Sequence, residues 1–299
     1  MDPFWPRKSP HFARLRAAVR PVAREHARLA VGLSGGPDSL ALAAALAAEK
    51  RGEIVAVCVD HQLQEGSRAV SEEAARQARA WGLAAQVVAV DAGRGEAEAR
   101  VARYRALAAE GVPVCVAHTA EDQAETLLLS ALRGQTGGMA PRAEIEGCVV
   151  LRPLLEARRA DTEGACRELG VEPWRDPHNE RADFRRVRIR REVLPLLGDI
   201  VGGDAVAPLA RAAAQTVDDD RALDTAPTED CAELAALPAA RRRRAIAAWL
   251  QASGAPVTGW GIEGIGKLCT DWHGQGGIAV GARLEVRRVG GKLALLHQQ

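Results

Sequence analysis

The chain has 299 residues with 40 basic and 39 acidic side chains, a formal charge of +1 and 47% hydrophobic residues. This composition excludes disorder for the bulk of the chain, and the length suffices for two domains of ordinary size. The longest wholly apolar run, 40–48, is far shorter than the about 20 residues of a membrane helix, so no membrane partner is expected. The stretch 1–28 lacks the apolar segment of a signal peptide, and we expect a cytoplasmic protein.

Apolar runs alternate with helical patterns in the first half of the chain. Strands are predicted at 29–33, 54–59, 85–90 and 112–117, followed by helices to about 50 and at about 71–81, 96–110 and 120–132. Because the strands are continuously rather than alternately apolar, both faces of their sheet should be buried. We therefore predict an α/β fold with a Rossmann-like parallel sheet and helices on both faces. Ligands are then expected beyond the carboxyl ends of the strands.

The second half of the chain is less regular. A long loop is predicted at 133–146, and a return to the sheet followed by helices at 152–197. The acidic stretch 218–230 resembles a linker, and a helix at 238–251 and strand-like runs at 278–289 and 292–296 follow it. We predict a catalytic domain at 1–200, a helical, acidic linker at 201–230 and a small C-terminal α+β domain at 231–299.

The six cysteines are spread along the chain without a CxxC pair: Cys58, Cys115, Cys148, Cys166, Cys231 and Cys269. This spacing argues against zinc ribbons, redox dithiols and a secreted disulfide framework. We expect reduced, mostly buried thiols.

A phosphate-binding loop is predicted where the first strand turns into a helix, formed by Ser34, Gly35, Gly36, Pro37, Asp38 and Ser39. Glycines let the backbone approach an anion, and a helix start favours negative charge. The loop has neither a Walker A nor a GxGxxG pattern. Residues 32–36 fit the GxSxG elbow of serine hydrolases, but too little chain precedes Ser34 for the earlier strands of that fold. The plainer alternative is a turn with a good helix cap.

Charged residues follow two other predicted strands. His118, Glu121, Asp122 and Glu125 are spaced by three and four, which places them on one face of a helix. Such a face could bind an ammonium group or hold Mg²⁺ through carboxylate oxygens. The alternative is a solvated acidic helix start, favoured by the helix dipole. Asp60 and His61 follow the second strand.

The loop 34–39 carries the SGGxDS signature of the PP-loop ATP pyrophosphatases, which cleave ATP between its α and β phosphates. Further motifs are similar to those of tRNA(Ile)-lysidine synthetases, at 60–67, 98–104, 118–127, 133–139, 152–155, 174–179 and 186–196. Together the motifs cover most of 29–197 in the same order as in that family.

The resemblance implies an enzyme that uses ATP to adenylate the C2 oxygen of the wobble cytidine in the CAU anticodon of isoleucine tRNA. Free L-lysine then displaces AMP to give lysidine. ATP and Mg²⁺ are the implied cofactors, with Asp38 positioning the metal ion and pyrophosphate and with Asp60 and His61 near the adenine. The implied catalytic residues are Asp38, Arg100, Arg103, His118, Asp122, Glu125, Arg186 and Arg190.

Four of these residues, Arg100, Arg103, Arg186 and Arg190, resemble positions that meet phosphates or the target nucleotide. The alternative for each is a surface arginine paired with acids. The lysine ε-amine, with a pKa near ~10.4, is mostly charged at neutral pH, so some group must take its proton. Asp122, Glu125 and His118 are the candidates, and the sequence leaves the choice open.

The chain departs from the family pattern in three ways. Val187 stands where the family commonly has Asn, Glu121 replaces a usual Asp, and the part after about 205 resembles the family only loosely. We expect the basic segments 181–191 and 241–244 to contact the tRNA backbone, the latter as part of the C-terminal domain. The alternative for 241–244 is a solvated helix face tied to the acidic linker.

Two other functions compete with lysidine synthesis. A tRNA-thiolating PP-loop enzyme would need cysteines placed for sulfur transfer or for an iron–sulfur cluster, and no CxxC pair occurs. A non-catalytic nucleotide-binding module would have no use for the charged cluster at 118–125. The sequence leaves the oligomeric state open, with a homodimer as one option.

Overall fold

The structure is a computed structural model that describes residues 5–6, 8–62, 66–91, 93, 95–135, 137–174 and 185–297. The chain forms two compact units. The first comprises Met1–Glu125 and Met139–Arg211, and the second comprises Thr126–Gly138 and Ala212–Gln299.

A six-stranded sheet forms the centre of the first unit. Its strands are β1 Arg28–Gly32, β2 Glu53–Asp60, β3 Ala84–Ala89, β4 Val114–Cys115, β5 Arg142–Ile145 and β6 Cys148–Leu151, in the order β3-β2-β1-β4-β6-β5. Neighbouring strands are parallel except for β5 and β6, which form an antiparallel pair. The predicted parallel sheet is therefore confirmed, with an antiparallel edge added.

Helices cover both faces of this sheet, as predicted. They are α1 Pro10–Glu25, α2 Pro37–Glu49, α3 Ser67–Ala80, α4 Glu96–Ala108, α5 Ala120–Ala131 and α6 Arg159–Leu169. One face packs against α1, α2, α3 and α6 through a core that includes Phe12 and Leu42, and the other packs against α4 through Tyr104 and Leu107. Burial on both faces explains why the strands are continuously apolar.

The order of the strands determines where a ligand can bind. From β1 the chain passes through α2 to β2 on one side, whereas β4 pairs with β1 on the other side. Such a reversal creates a crevice beyond the carboxyl ends of the two diverging strands. The segments that follow β1 and β4, at 33–39 and 116–125, enter this crevice.

The first unit ends in helices α7 Arg185–Arg188 and α8 Leu194–Val201, joined by a π-helical turn at Ile189–Val193. Helix α9, Val206–Ala222, continues into the second unit. Over the residues described, no single helix is long and apolar enough to cross a membrane; 185–201 and Val206–Ala222 meet that criterion only as a pair, bent by 103°.

The second unit contains α10 Cys231–Ala236, α11 Ala239–Ala252, α12 Gly259–Thr270 and an antiparallel sheet of β7 Ile278–Gly281, β8 Leu284–Val289 and β9 Lys292–His297. Its core is built from helix residues such as Ile246 and Ile265 and strand residues such as Val280 and Val286. This is the small α+β region predicted near the C-terminus.

Some elements differ from the prediction. The segment 133–146 was expected to be a loop but contains β5, and the return strand β6 ends at Leu151, before the segment 152–197. The single strand-like run 278–289 is a hairpin, because Ala282 and Arg283 adopt φ values of 53° and 57° and reverse the chain. Helix α1 was not predicted, and the acidic residues 218–220 belong to α9, within the segment predicted as a helical, acidic linker. All six cysteines are buried, as expected.

Candidate active site

The loop after β1 is organised by its two serines. Ser39 Oγ donates to Gly36 O at 3.0 Å and accepts from Ser34 N at 3.1 Å. Since a hydroxyl carries one hydrogen, Ser34 Oγ is the donor in its 3.0 Å contact with Ser39 Oγ. The first N–H groups of α2, which begins at Pro37, have no partner within the helix. The loop therefore presents backbone donors and a helix N-terminus in the crevice, which suits a phosphate group.

Gly35 allows the backbone of the loop to adopt a left-handed conformation. Its φ is +83°, and a Cβ at this position would lie 3.3 Å from Val70 Cγ1 in α3. Gly35 O accepts a hydrogen bond from Trp174 N at 3.0 Å, which ties the loop to a distant segment. The backbone is thus held close to α3 in a conformation that side chains disfavour.

We expect Gly35→Ala to destabilise the protein by about 1–2 kcal/mol and to weaken ATP binding, because it places a side chain in the left-handed region beside the phosphate cradle. Gly82→Ala is the matched control, since Gly82 has a φ of +77° and nothing within 4 Å of its Cβ position. Urea unfolding and ATP titration should show a similar loss of stability for both variants and weaker ATP binding only for Gly35→Ala. Equal ATP affinities would contradict a phosphate-binding role for the loop.

Asp38, in the first turn of α2, is held from α6. Thr162 Oγ1 hydrogen-bonds Asp38 Oδ1, and Arg159 Nε lies 3.6 Å from Asp38 Oδ2. Burial raises the pKa of Asp38, whereas the hydrogen bond from Thr162 and the charge of Arg159 oppose that shift. These two contacts fix the orientation of the Asp38 carboxylate at the start of α2.

Asp122 and Glu125 form a buried charge cluster with two arginines. Arg190 Nε donates to Glu125 Oε1 at 2.7 Å and its Nη2 to Oε2 at 3.2 Å, and Arg159 Nη2 donates to Asp122 Oδ1 at 3.2 Å. The Glu125 side chain is 0% exposed. This burial contradicts the alternative of a solvated acidic helix start. Counting Asp38, three carboxylates face two guanidinium groups among the described residues.

The two acids of this cluster titrate differently. Burial acts to raise the pKa of both carboxyls. For Asp122 the charge of Arg159 and the N–H of Thr119, which donates to Oδ2 at 2.8 Å, outweigh burial and lower its pKa. For Glu125 burial outweighs Arg190, so its pKa is raised. Asp122 is therefore the firmly ionised member.

His118 lies at the end of the segment that follows β4. Its Nδ1 accepts a hydrogen bond from Nε of Arg152 at 3.3 Å, and Arg152 is only 5% exposed. Burial lowers the pKa of His118 to about 4, assisted by the charges of Arg152, Arg103 and Arg100 and opposed by Asp122. His118 is thus neutral at physiological pH and connects the acidic cluster with a group of arginines.

These arginines surround a buried tyrosine. Arg100 and Arg103 lie over the ring of Tyr104, at 4.9 and 5.2 Å from its centroid. Burial lowers the pKa of Arg103, as do the charges of Arg100 and Arg186. Over the described residues, Arg100, Arg103 and Arg152 have no carboxylate within ion-pair distance, and the buried Tyr104 Oη lies among them. This basic pocket is suited to an anionic group.

The turn after β2 is also fixed by hydrogen bonds. Asp60 Oδ1 accepts from Gln62 N at 3.0 Å and from Ser67 Oγ at 2.7 Å, so this side chain shapes the turn. His61 Nδ1 is buried and has no partner within the described part of the chain, and burial lowers the pKa of His61. Any contact with a nucleotide base here would involve His61 or backbone groups rather than the Asp60 carboxylate.

Two of the three departures from the family pattern, Val187 and Glu121, lie in the first unit and have structural counterparts. Val187 is 7% exposed, so its side chain packs inside the protein. Glu121 accepts from Arg158 Nε at 2.8 Å and from Arg159 N at 2.9 Å, which places this carboxylate at the start of α6 rather than in the charge cluster.

The structure thus brings most of the predicted residues into one network. Asp38, Asp122, Glu125 and Arg190 meet around Arg159, and His118 connects them to Arg100, Arg103 and, through Arg103, to Arg186 and His61. Arg159 and Thr162 were not predicted. Both lie on α6, and no local motif marks them, because their role depends on a helix that follows the sheet in sequence and packs beside α2.

The arginines of the two basic segments, 241–244 and 181–191, differ in their contacts. Arg244 pairs with Asp220, and Arg242 donates to Leu237 O at 3.1 Å, so these two arginines serve the second unit itself. This supports the alternative of a helix face tied to acidic residues for half of 241–244, while Arg241 and Arg243 are exposed. In the other segment, Arg188 pairs with Glu192, and residues 181–184 lie outside the described residues.

Comparison with known families matches residues 9–197 to the PP-loop domain and residues 230–294 to the TilS substrate binding domain. Among solved structures, the U34-tRNA thiolase NcsA from Methanococcus maripaludis has a TM-score of 0.58 at 15% identity, over 71% of this chain and 81% of that chain. This likeness concerns the fold alone.

Curated relatives cover nearly the whole chain. The tRNA(Ile)-lysidine synthase of Corynebacterium diphtheriae is 50% identical over 99% of this chain and 100% of its own length. The enzyme of Corynebacterium glutamicum is 47% identical over 97% of this chain and 96% of its own length. The enzyme of Mycobacterium tuberculosis is 44% identical over 93% of this chain and 93% of its own length. Because both domains match and these relatives cover nearly the whole chain, the chain belongs to the tRNA(Ile)-lysidine synthase family.

Proposed function

We propose that the protein is a ligase that converts the wobble cytidine of the CAU anticodon of isoleucine tRNA to lysidine, using ATP and free L-lysine. The observation that carries this proposal is the meeting of a phosphate-binding loop, a buried acidic cluster and a basic pocket at one crevice of the sheet. Three substrates of different charge require three such subsites. These substrates also place the reaction in the cytoplasm.

The first subsite receives ATP. The loop 34–39 and the start of α2 bind the β and γ phosphates, so that attack on the α phosphate releases pyrophosphate. His61 follows β2, and its Nδ1, which has no partner within the described part of the chain, offers a polar contact for the adenine. The C2 oxygen of the cytidine is the nucleophile of this step, and its bond to the α phosphate replaces the bond to pyrophosphate.

Asp38 is the residue proposed to hold Mg²⁺. Over the described residues no group of three or more His, Cys, Asp or Glu side chains is arranged to hold a metal ion. One carboxylate at the phosphate cradle nevertheless fits Mg²⁺, which commonly binds through one or two carboxylates, substrate phosphates and water. When bound, the ion would neutralise charge on the pyrophosphate leaving group.

The second subsite receives L-lysine. In the charge cluster the carboxylates of Asp38, Asp122 and Glu125 face Arg159 and Arg190, and carboxylates are suited to bind the ammonium group of lysine. Asp122, held ionised, binds the ammonium group directly, and Arg190 orients Glu125. The lysine Nε then attacks C2 of the adenylated cytidine, and the C2 oxygen leaves with AMP.

The third subsite receives the target nucleotide and its phosphates. Arg100, Arg103 and Arg186 provide positive charge at the basic pocket, and Tyr104 provides a buried hydroxyl. The second unit, which matches a substrate binding domain, contacts the tRNA body with part of its basic surface.

Of the arginines at 241–244, we expect only an exposed one to contact tRNA. Arg241→Ala and Arg243→Ala are to be tested singly, because residues two apart on a helix point about 200° apart. Each phosphate contact that is lost should reduce the salt slope of log K by about 0.7 to 0.9. Filter binding over a salt series measures the slope, with Arg244→Ala as control because this arginine already pairs with Asp220. If neither variant changes the slope, α11 does not contact tRNA, and 181–191 remains the candidate segment.

Lysine transfer tests the proposed function. Labelled L-lysine should become attached to an isoleucine tRNA with a CAU anticodon only when ATP is present, and the label should resist mild alkali, unlike an aminoacyl ester. A methionine tRNA with the same anticodon should remain unlabelled. Incorporation that mild alkali removes, or no incorporation, would contradict the proposal.

A further inference from the structure

The hydrogen bond between Arg152 and His118 determines where the imidazole carries its hydrogen. A guanidinium group has only N–H donors and stays protonated in proteins. Since Arg152 Nε donates to His118 Nδ1 at 3.3 Å, Nδ1 must be an acceptor and therefore carries no hydrogen. In the neutral ring, the single hydrogen then lies on Nε2.

Hydrogen bonds and burial hold the Arg152 side chain in the position from which it donates to His118. Its Nη1 donates to Ala140 O at 2.6 Å, its backbone N donates to Pro141 O at 2.8 Å, and the residue is 5% exposed. The side chain follows directly after β6, so the sheet positions its backbone. An Nδ1–H tautomer or an imidazolium would turn a donor toward this fixed donor, and neither form is compatible with the contact.

We propose that Arg152 is a positioning residue that holds His118 as the neutral Nε2–H imidazole, so that His118 donates a hydrogen bond to a phosphoryl oxygen of the adenylated cytidine rather than accepting the lysine proton. The role of His118 in the reaction rests on the proposed function, whereas the tautomer does not.

The surroundings of the ring favour an anionic acceptor. Its charged neighbours are Arg100 and Arg103 from α4, Arg152 after β6 and Asp122 from α5. The three arginines have no carboxylate partner within the described residues, and the buried Tyr104 Oη lies beside them. A phosphoryl group would satisfy these donors together with Nε2–H. Proton removal from the lysine amine then falls to Asp122 or Glu125, the other two candidates.

The tautomer can be measured on the free, full-length protein. Imidazole nitrogen NMR spectra of protein labelled with ¹⁵N-histidine report which nitrogen carries hydrogen, and the spectrum of His118→Gln identifies the His118 signals. We expect an Nε2–H ring that stays neutral from pH 8 to about 5, in line with the lowered pKa of about 4. Arg152→Met should raise that pKa, because a positive charge is removed, and should leave the ring free to change tautomer. An Nδ1–H ring or an imidazolium at pH 7 in the unaltered protein would overturn the proposal.

Kinetics test the role of His118 separately. His118→Ala should lower kcat by about 10²–10³-fold, as expected for the loss of one donor to a developing anion. His118→Gln keeps an N–H donor and should lose distinctly less. Arg152→Met should lower kcat by about 10²-fold through misplacement of the ring, and Arg152→Lys should recover part of that loss.

The control is Arg105→Met, which removes an exposed arginine of α4 that pairs with Glu146. It should change neither the NMR signals nor kcat. Equal inactivation by His118→Gln and His118→Ala, with unchanged melting temperatures, would contradict the donor role and would overturn the proposal. If no variant or unaltered protein forms lysidine, the proposed function fails, while the tautomer measurement stands by itself.

Discussion

Asp38→Asn should lower the tRNA-dependent release of pyrophosphate by at least about 10²–10³-fold. Asparagine keeps the volume of the side chain and can still accept the hydrogen bond from Thr162, so the fold should persist. What is lost is the negative charge at the start of α2, which we assign to the metal ion and the leaving group. A coupled pyrophosphate assay with saturating ATP, lysine and tRNA measures this rate, and thermal unfolding monitors the fold.

The matched control lies on the same helix. Glu49, at the other end of α2, pairs with Arg16 and Arg20, and Glu49→Gln removes a carboxylate that is remote from the loop. This variant should lose some stability and keep its rate of pyrophosphate release. A normal rate in Asp38→Asn would refute the role assigned to the loop aspartate.

Asp122→Asn and Glu125→Gln should each raise the KM for lysine about 10- to 100-fold, the range expected for loss of a charge-assisted hydrogen bond of about 1.5–3 kcal/mol. Asp122→Asn removes the firmly ionised carboxylate beside Arg159, and Glu125→Gln removes the charge and one of the two acceptors for Arg190. Because the charge cluster is assigned to lysine rather than to ATP, pyrophosphate release without lysine should change less. Measuring adenylation and lysine transfer separately shows which step is affected.

Glu121→Gln is the control for this pair, since Glu121 lies on α5 but contacts Arg158 and the backbone of Arg159 instead of the cluster. Its lysine KM should be normal even where stability falls. If the Asp122 and Glu125 variants also show normal lysine dependence, the lysine subsite lies elsewhere.

Features set by nearby residues could be predicted from the sequence. The centres of β1 and β2 are continuously apolar, and the loop 34–39 is a contiguous motif at a strand end, so both follow from local pattern. Strand β5 could not be predicted, because it is short and has little apolar character. Exposed and half-buried residues alternate along it. The turn at Ala282 and Arg283 lacks the Asn or Gly that usually marks a hairpin with positive φ.

The part of the site that the sequence did not reveal depends on contacts between distant segments. Thr162 reaches Asp38 across 124 positions of the chain, and Arg159 reaches Asp122 across 37. The sequence pattern places acids on one face of α5 but contains no information on which arginines neutralise them. For this reason the sequence predicts only an acidic helix face, whereas the structure contains a buried cluster of both signs.

The central claim is that ATP activates the cytidine and lysine then replaces the oxygen at C2. The most direct test is to incubate the protein with ATP, Mg²⁺, L-lysine and isoleucine tRNA carrying a CAU anticodon, and to analyse the digested nucleosides by mass spectrometry alongside the nucleotide products. We predict a nucleoside with the mass of cytidine plus lysine minus one water, formed together with one AMP and one pyrophosphate. An unmodified wobble cytidine, or ADP and phosphate as the main products, would contradict the claim.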